Sequence, residues 1–256
     1  MGSRIHPTAV VDSRADLAEG VDVGPYAVVG ADVQIGPGSS LSAHAVVLGP
    51  TTMGAGNEVH SFAILGGLPQ HKRAFCGESR LFVGDRNTFR EHVTVHRGTE
   101  GRSTRIGSDN FLMVGAHVAH DASVGSFCTL ANAVQLAGHA TVEDHATFGG
   151  LSGVAQFVTV GQSAFVAAGA MCERRVPPFV IVQGDRARVR SLNVVGLRRR
   201  GVPEASIVNL QAAFRVLFRG GAPRVAALRD VPREDPYVAA LLDALLEAKA
   251  EPCPRG

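Results

Sequence analysis

Taken six residues at a time from Ile5, the chain reads Ile5, Val11, Leu17, Val23, Val29, Ile35, Leu41, Val47, Met53, Val59 and Leu65, all apolar. The same step from Ile106 gives Leu112, Val118, Val124, Leu130, Leu136, Val142, Phe148, Val154, Val160, Val166 and Cys172, again without a polar break. A helix repeats its apolar face about every 3.6 residues and a strand about every 2, so neither alone produces a period of six. A short strand followed by a tight corner does. Three such units close an 18-residue coil, and coils stack at about 4.8 Å through ladder hydrogen bonds. The pattern predicts a parallel β-helix over residues 1–190. The period fails at 66–80 (GGLPQHKRAFCGESR) and at about 98–104 (GTEGRST). Both stretches read as loops projecting from the prism, and loops on a rigid scaffold tend to carry binding residues.

From residue 191 the period changes, and an α-helical C-terminal domain over 191–256 is expected to cap the open edge of the last coil. Pro203 starts a helix with Ile207, Leu210, Phe214 and Leu217 on one face, and Gly220–Gly221 stops it. Asp235 reads as the N-cap of a last helix, with Pro236 at its first position and Val238, Leu241, Leu242 and Leu245 as its apolar stripe.

Composition narrows the function classes. With 25 Lys+Arg against 23 Asp+Glu the net charge is +2, and 45% of residues are apolar, which excludes a disordered chain and a dedicated nucleic-acid binder. No apolar run reaches the roughly 18 residues of a spanning helix. Pro7 interrupts the N-terminus before any apolar core forms, so no secretory signal is expected. Cys76, Cys128, Cys172 and Cys253 show no paired spacing and read as reduced thiols of a cytoplasmic protein.

The candidate chemistry lies in the second repeat block. Residues 18 apart stack, so His120 should sit against Gly138, and Asp121 against His139. A histidine beside a carboxylate is the arrangement of a general base. A glycine next to it lets a backbone N–H approach a reacting carbonyl. On spacing alone, the same residues also suit plain β-helix corners, which tolerate polar side chains well.

Longer segments are more specific. GDRNTFREHVTVHRGT (84–99), NFLMVGAHVAHD (110–121), LANAVQLAGHATVED (130–144), VPPFVIVQGD (176–185) and LNVVGLRRRGV (192–202) resemble the acyl-[acyl carrier protein]–UDP-N-acetylglucosamine O-acyltransferases, along nearly the whole chain. The resemblance implies a mainly β fold: a left-handed parallel β-helix of hexapeptide repeats with an α-helical C-terminal domain. It implies transfer of a (3-hydroxy)acyl chain from acyl carrier protein to the 3-position of UDP-N-acetylglucosamine, the first step of lipid A synthesis. No cofactor or metal is implied, because the thioester is already activated.

By the same resemblance His120 is the general base, Asp121 its supporting carboxylate and Gly138 the oxyanion donor. His117 and His139 line the site. Gln70, Gln156, Asn193 and Arg199 contact the sugar nucleotide, and either Lys72 or Arg73 replaces a family lysine near the diphosphate. Ala168 sets acyl length at the end of the groove, its small side chain leaving room for chains longer than ten carbons. The protein is expected to be a homotrimer with sites between subunits. Ala155 and Val195 stand where the family usually has His and Glu. These departures leave open N-acylation of a 3-amino sugar nucleotide. A zinc enzyme like the γ-carbonic anhydrases and a non-catalytic scaffold are the remaining readings.

Overall fold

The computed structural model describes residues 2–71, 77–218 and 225–250. These residues form a left-handed parallel β-helix followed by short helices. Two- to four-residue strands line three flat faces, and each strand pairs in parallel with the one a coil away, as Arg4–Ile5 does with Asp22–Val23. The first face holds strands such as Phe111–Leu112, the second His117–Val118 and the third Ser123–Val124. The first corner thus joins first to second face, the second corner second to third, and the third corner third to first.

Inward side chains recur every six residues because each face contributes one core layer per coil. From Val23 to Leu65 and from Ile106 to Cys172 every residue of the six-step series is buried. The N-terminal coil stands at the open end of the prism and leaves Ile5 exposed. The corners turn through left-handed backbone: Asp121, His139 and Phe157 stack at the second corner with φ of 61°, 61° and 63°. Asp and His tolerate this region better than bulky residues do. Inside the third corner, buried Asn57, Asn87 and Asn110 form a ladder. Asn57 Oδ1 accepts from the Asn87 backbone N–H, Asn87 Oδ1 from Asn110 N–H, and Asn110 Oδ1 from Cys128 N–H, at 2.9, 3.0 and 2.7 Å. Cys128 and Cys172 are buried and unbridged, while Cys76 and Cys253 lie outside the described residues.

The coil register survives two interruptions. Met53 pairs with Val83, 30 residues on, and Val83 with Ile106, 23 residues on. The extra chain leaves after Gly67 and returns at Arg80, then leaves after His96 and returns at Ser103. Both excursions join the second face to the third, so both hang from the corner that carries His120.

After Cys172 the chain adds Val180–Gln183 to the first face and folds back through antiparallel Arg188–Leu192. Helices α1 (Val194–Arg199), α2 (Glu204–Leu217) and α3 (Pro236–Ala250) follow, with a 3₁₀ turn at Val225–Asp230. Ile207, Leu210 and Leu217 pack against Val238, Leu241, Leu242 and Leu245 in a second apolar cluster. Asp235 Oδ1 accepts from Tyr237 N–H at 2.9 Å and caps α3. Short helix α1 is not legible from periodicity, and Gly220–Gly221 lie outside the described residues.

Candidate active site

At the second corner His120 Nδ1 lies 2.9 Å from Asp121 Oδ2, with the two side chains 7% and 3% exposed. An ionised carboxylate only accepts, so Nδ1 carries the proton and Nε2 is left with a free lone pair. Asp121 is held from outside the repeat. The Thr99 backbone N–H donates to its Oδ1 at 2.9 Å and the Thr99 hydroxyl to its Oδ2 at 2.8 Å. Burial pushes the Asp121 carboxyl up, but the bonds from His120 and Thr99 and the nearby His139 outweigh it and hold it below the ordinary aspartate value.

One coil on, His139 Nε2 lies 3.5 Å from Asp121 Oδ2, and its ring meets His120 edge-on and stacks on Phe157 at 4.5 Å. Gly138 packs directly against the base. A Cβ there would sit 2.7 Å from His120 Cε1 and 2.9 Å from Nε2. The glycine is therefore required by the ring itself, and it brings a backbone edge to the basic nitrogen.

A groove of about 400 Å³ lies along the second face, its lining reaching Ala119 and Ala137, the residues before His120 and Gly138. Successive coils floor it with His117, Gln135, Gly153 and Met171, and Ala119, Ala137 and Ala155 form its rim. Ala155, which replaces the family's usual histidine, thus keeps that rim apolar. Met171 closes the far end: its Sδ lies 2.8 Å from where a Gly153 Cβ would be. His117 Nδ1 and the Thr94 hydroxyl are 2.7 Å apart, and His96 packs edge-on to His117 at 4.9 Å. Burial first, then His117 and His120, drive His96 down to about 4. Burial likewise lowers His117 and His139.

Of the other sequence candidates, Gln156 is exposed one coil beyond Gly138, and Gln70 is exposed beside His71, whose ring meets His120 edge-on at 5.9 Å. Lys72 and Arg73 lie outside the described residues. Ala168 sits exposed on the first corner, among none of the residues lining the groove. Asn193 and Arg199 belong to the third corner. Asn193 Nδ2 donates to Ser163 O at 2.9 Å and its Oδ1 accepts from Gly196 N–H at 3.1 Å, so its amide caps α1 and serves the fold. Arg199 projects from α1, exposed and without an ion pair among the described residues, whereas Arg200 donates to Ser163 Oγ at 2.7 Å. Val195 is also exposed on α1. Within one chain, His120 and Arg199 are a corner apart. The sequence pattern does not single out Thr99, Thr94, His96 or Met171.

The donor atoms of His120, Asp121 and His139 fall within 4.8 Å of one another, a spread that also suits three zinc ligands. Both Asp121 oxygens, however, already accept hydrogen bonds, which is how an orienting carboxylate is held.

A buried His–Asp dyad at a β-helix corner, opening on an apolar groove, defines a hexapeptide-repeat enzyme of acyl-transfer type. The comparisons with known proteins place it further. Residues 176–255 match the family model described as UDP N-acetylglucosamine O-acyltransferase, domain 2. The acyl-[acyl-carrier-protein]–UDP-N-acetylglucosamine O-acyltransferase of Alkalilimnicola ehrlichii is 54% identical over 232 residues, 90% of each chain. The Stenotrophomonas maltophilia enzyme of that name is 47% identical over 253 residues, 96% of each. The UDP-N-acetylglucosamine O-acyltransferase structure from Moraxella catarrhalis superposes with a TM-score of 0.89 at 34% identity, covering 98% of both chains. The chain belongs to the acyl-[acyl-carrier-protein]–UDP-N-acetylglucosamine O-acyltransferase family.

Proposed function

We propose that the protein transfers an acyl chain from an acyl carrier protein thioester to the 3-hydroxyl of UDP-N-acetylglucosamine, opening lipid A synthesis. The observation that carries this reading is the His120–Asp121 dyad, next in the chain to Ala119 of the apolar groove, in a chain of this family.

The chemistry follows from the geometry. His120 Nε2 takes the proton of the 3-hydroxyl as its oxygen attacks the thioester carbonyl. The imidazolium so formed is stabilised by Asp121 through Nδ1–H. The carbonyl oxygen becomes an oxyanion, for which the Gly138 N–H is the nearby donor. Collapse breaks the carbon–sulfur bond, and the proton on His120 passes to the leaving thiolate. The acyl tail occupies the groove toward Met171. His117, His139, Gln70 and Gln156 surround the sugar end, and no cofactor is needed.

Arg199 suits a diphosphate, since a guanidinium offers paired N–H donors. It lies a corner away from His120 in its own chain, so a site using both draws on two subunits. This supports a homotrimer with sites between neighbours. A sedimentation mass of one chain at micromolar concentration overturns that arrangement.

The direct test supplies acyl carrier protein thioesters with either the 3-hydroxy or the 3-amino sugar nucleotide. Ester formation with the 3-hydroxy acceptor is expected. Amide formation alone moves the protein to the 3-amino reading, and no transfer to either acceptor rejects the proposal.

A further inference from the structure

The dyad's carboxylate is not positioned by the coil that carries it. Asp121 stands at the tip of a corner, in left-handed backbone; besides the two histidines, the β-helix supplies a bond to its main chain, from Asp121 N–H to Thr104 Oγ1 at 2.9 Å. The side-chain bonds other than that of His120 come from Thr99, in the five-residue excursion beyond the regular coil. That excursion is itself pinned. Arg97 N–H donates to Gly67 O, Gly98 N–H to Arg80 O and Gly101 N–H to Glu78 O, at 2.9, 3.1 and 2.8 Å. Arg102 N–H closes the turn on Thr99 O at 2.9 Å, and the Arg97 side chain donates to Gly49 O. Each anchor outside the turn lies at the base of the first loop or in the coil before it. A tethered loop thus delivers one hydroxyl and one N–H to one buried carboxylate.

We infer that Thr99 is a positioning residue of the acyl-transfer reaction, fixing the Asp121 carboxylate so that it engages His120 Nδ1 and leaves Nε2 as the base. This inference rests on the function proposed above. With the Thr99 hydroxyl removed, Oδ2 keeps His120 and the longer, 3.5 Å contact to His139, and the carboxylate can rotate about the remaining bond from the Thr99 backbone N–H. The groups facing His120 are Asp121, His139 and His71, with His117 and His96 further along the second face. Asp121 alone among them carries negative charge, so its displacement withdraws the stabilisation of the protonated base. Hydrogen bonds to charged groups are worth enough that losing one costs about tenfold to a hundredfold in rate when it acts through geometry.

The test compares Thr99→Val and Thr99→Ser with the wild-type enzyme. Thr99→Val is expected to lower kcat about tenfold to a hundredfold with KM for the sugar nucleotide unchanged, and to move the acid limb of kcat to lower pH. Thr99→Ser, which keeps the hydroxyl, is expected to restore both. Nitrogen-15 spectra of histidine-labelled protein, recorded without substrate, should show His120 held as the Nδ1–H tautomer in the wild type and in Thr99→Ser but mixed in Thr99→Val. An unchanged kcat in Thr99→Val, equal damage in Thr99→Ser, or an unaltered tautomer overturns the assignment. A wild-type protein that shows the tautomer but transfers no acyl group refutes the proposed function instead.

Discussion

The His120 ring occupies the space that a side chain on Gly138 would need, with 2.7 Å between the ring and the missing Cβ. Base and glycine therefore constrain each other. Gly138→Ala should push the ring off its bond to Asp121, and displacements of this size near reacting groups cost about 100-fold in rate. Steady-state kinetics with a parallel melting curve checks this.

His120→Ala should lower kcat by about 10²–10⁴-fold, the usual contribution of a positioned base. Binding of the sugar nucleotide, measured calorimetrically, should persist. A variant retaining more than about a tenth of the rate removes His120 from the base role.

The groove predicts where acyl length is set. Met171 stands in its floor, so Met171→Ala should favour longer donors by up to about fifteenfold per added carbon pair, at about 0.8 kcal/mol per buried methylene. Ala168→Met should shift the ratio of ten- to fourteen-carbon kcat/KM values toward the shorter donor, because a site between subunits brings a neighbour's first corner to the acyl chain. An unchanged ratio removes Ala168 from the control of acyl length.

Acid should destabilise the fold before its carboxylates titrate. His96, held down to about 4, and the lowered His117, His139 and His145 stay neutral in the folded chain where the unfolded chain takes up protons. Stability is then lost as pH falls below about 6.5, by at most roughly 1.4 kcal/mol per pH unit for each such group. The loss levels off for His96 near 4. Melting curves from pH 7.5 to about 4.5 should show a falling Tm, with a shallower slope in His96→Gln.

Asn87→Ala should destabilise the fold by about 2–4 kcal/mol, since it strands the Asn110 N–H and removes the Nδ2 donor shared by Asn57 Oδ1 and the Gly107 carbonyl inside the third corner. Chemical denaturation measures the change. Asn87→Asp, which keeps the acceptor, should cost less if the lost acceptor dominates.

Coil arithmetic makes part of this site readable from the amino-acid sequence. Adding 18 to His120 reaches Gly138, and adding 18 to Asp121 reaches His139, because ladder bonds force residues one coil apart into register. The same arithmetic hides Thr99, which is 22 residues before Asp121 on the far side of an irregular excursion. It hides the meeting of His96 with His117 for the same reason. Ala168, which the resemblance assigns to acyl length, stands on the first corner of its own chain, where coil arithmetic from His120 does not reach it. The capping role of Asn193 is not legible in the sequence either: the resemblance assigns it to the sugar nucleotide, and its amide also starts α1.

The two excursions at the second corner lengthen the chain at the cost of one register shift, between Leu65 and Gly67 on the second face, while Met53, Val83 and Ile106 still pair in register on the third. Loop-closure entropy grows only slowly with length, by about 0.6 kcal/mol per doubling. The prism therefore behaves as a chassis with one open port. Segments of other lengths and sequences can be spliced between Gly67 and Arg80 while the coils on either side stay in place, whereas the excursion between His96 and Ser103 must keep Thr99 on Asp121. Substrate preference and fold stability are, at the first loop, separately adjustable quantities.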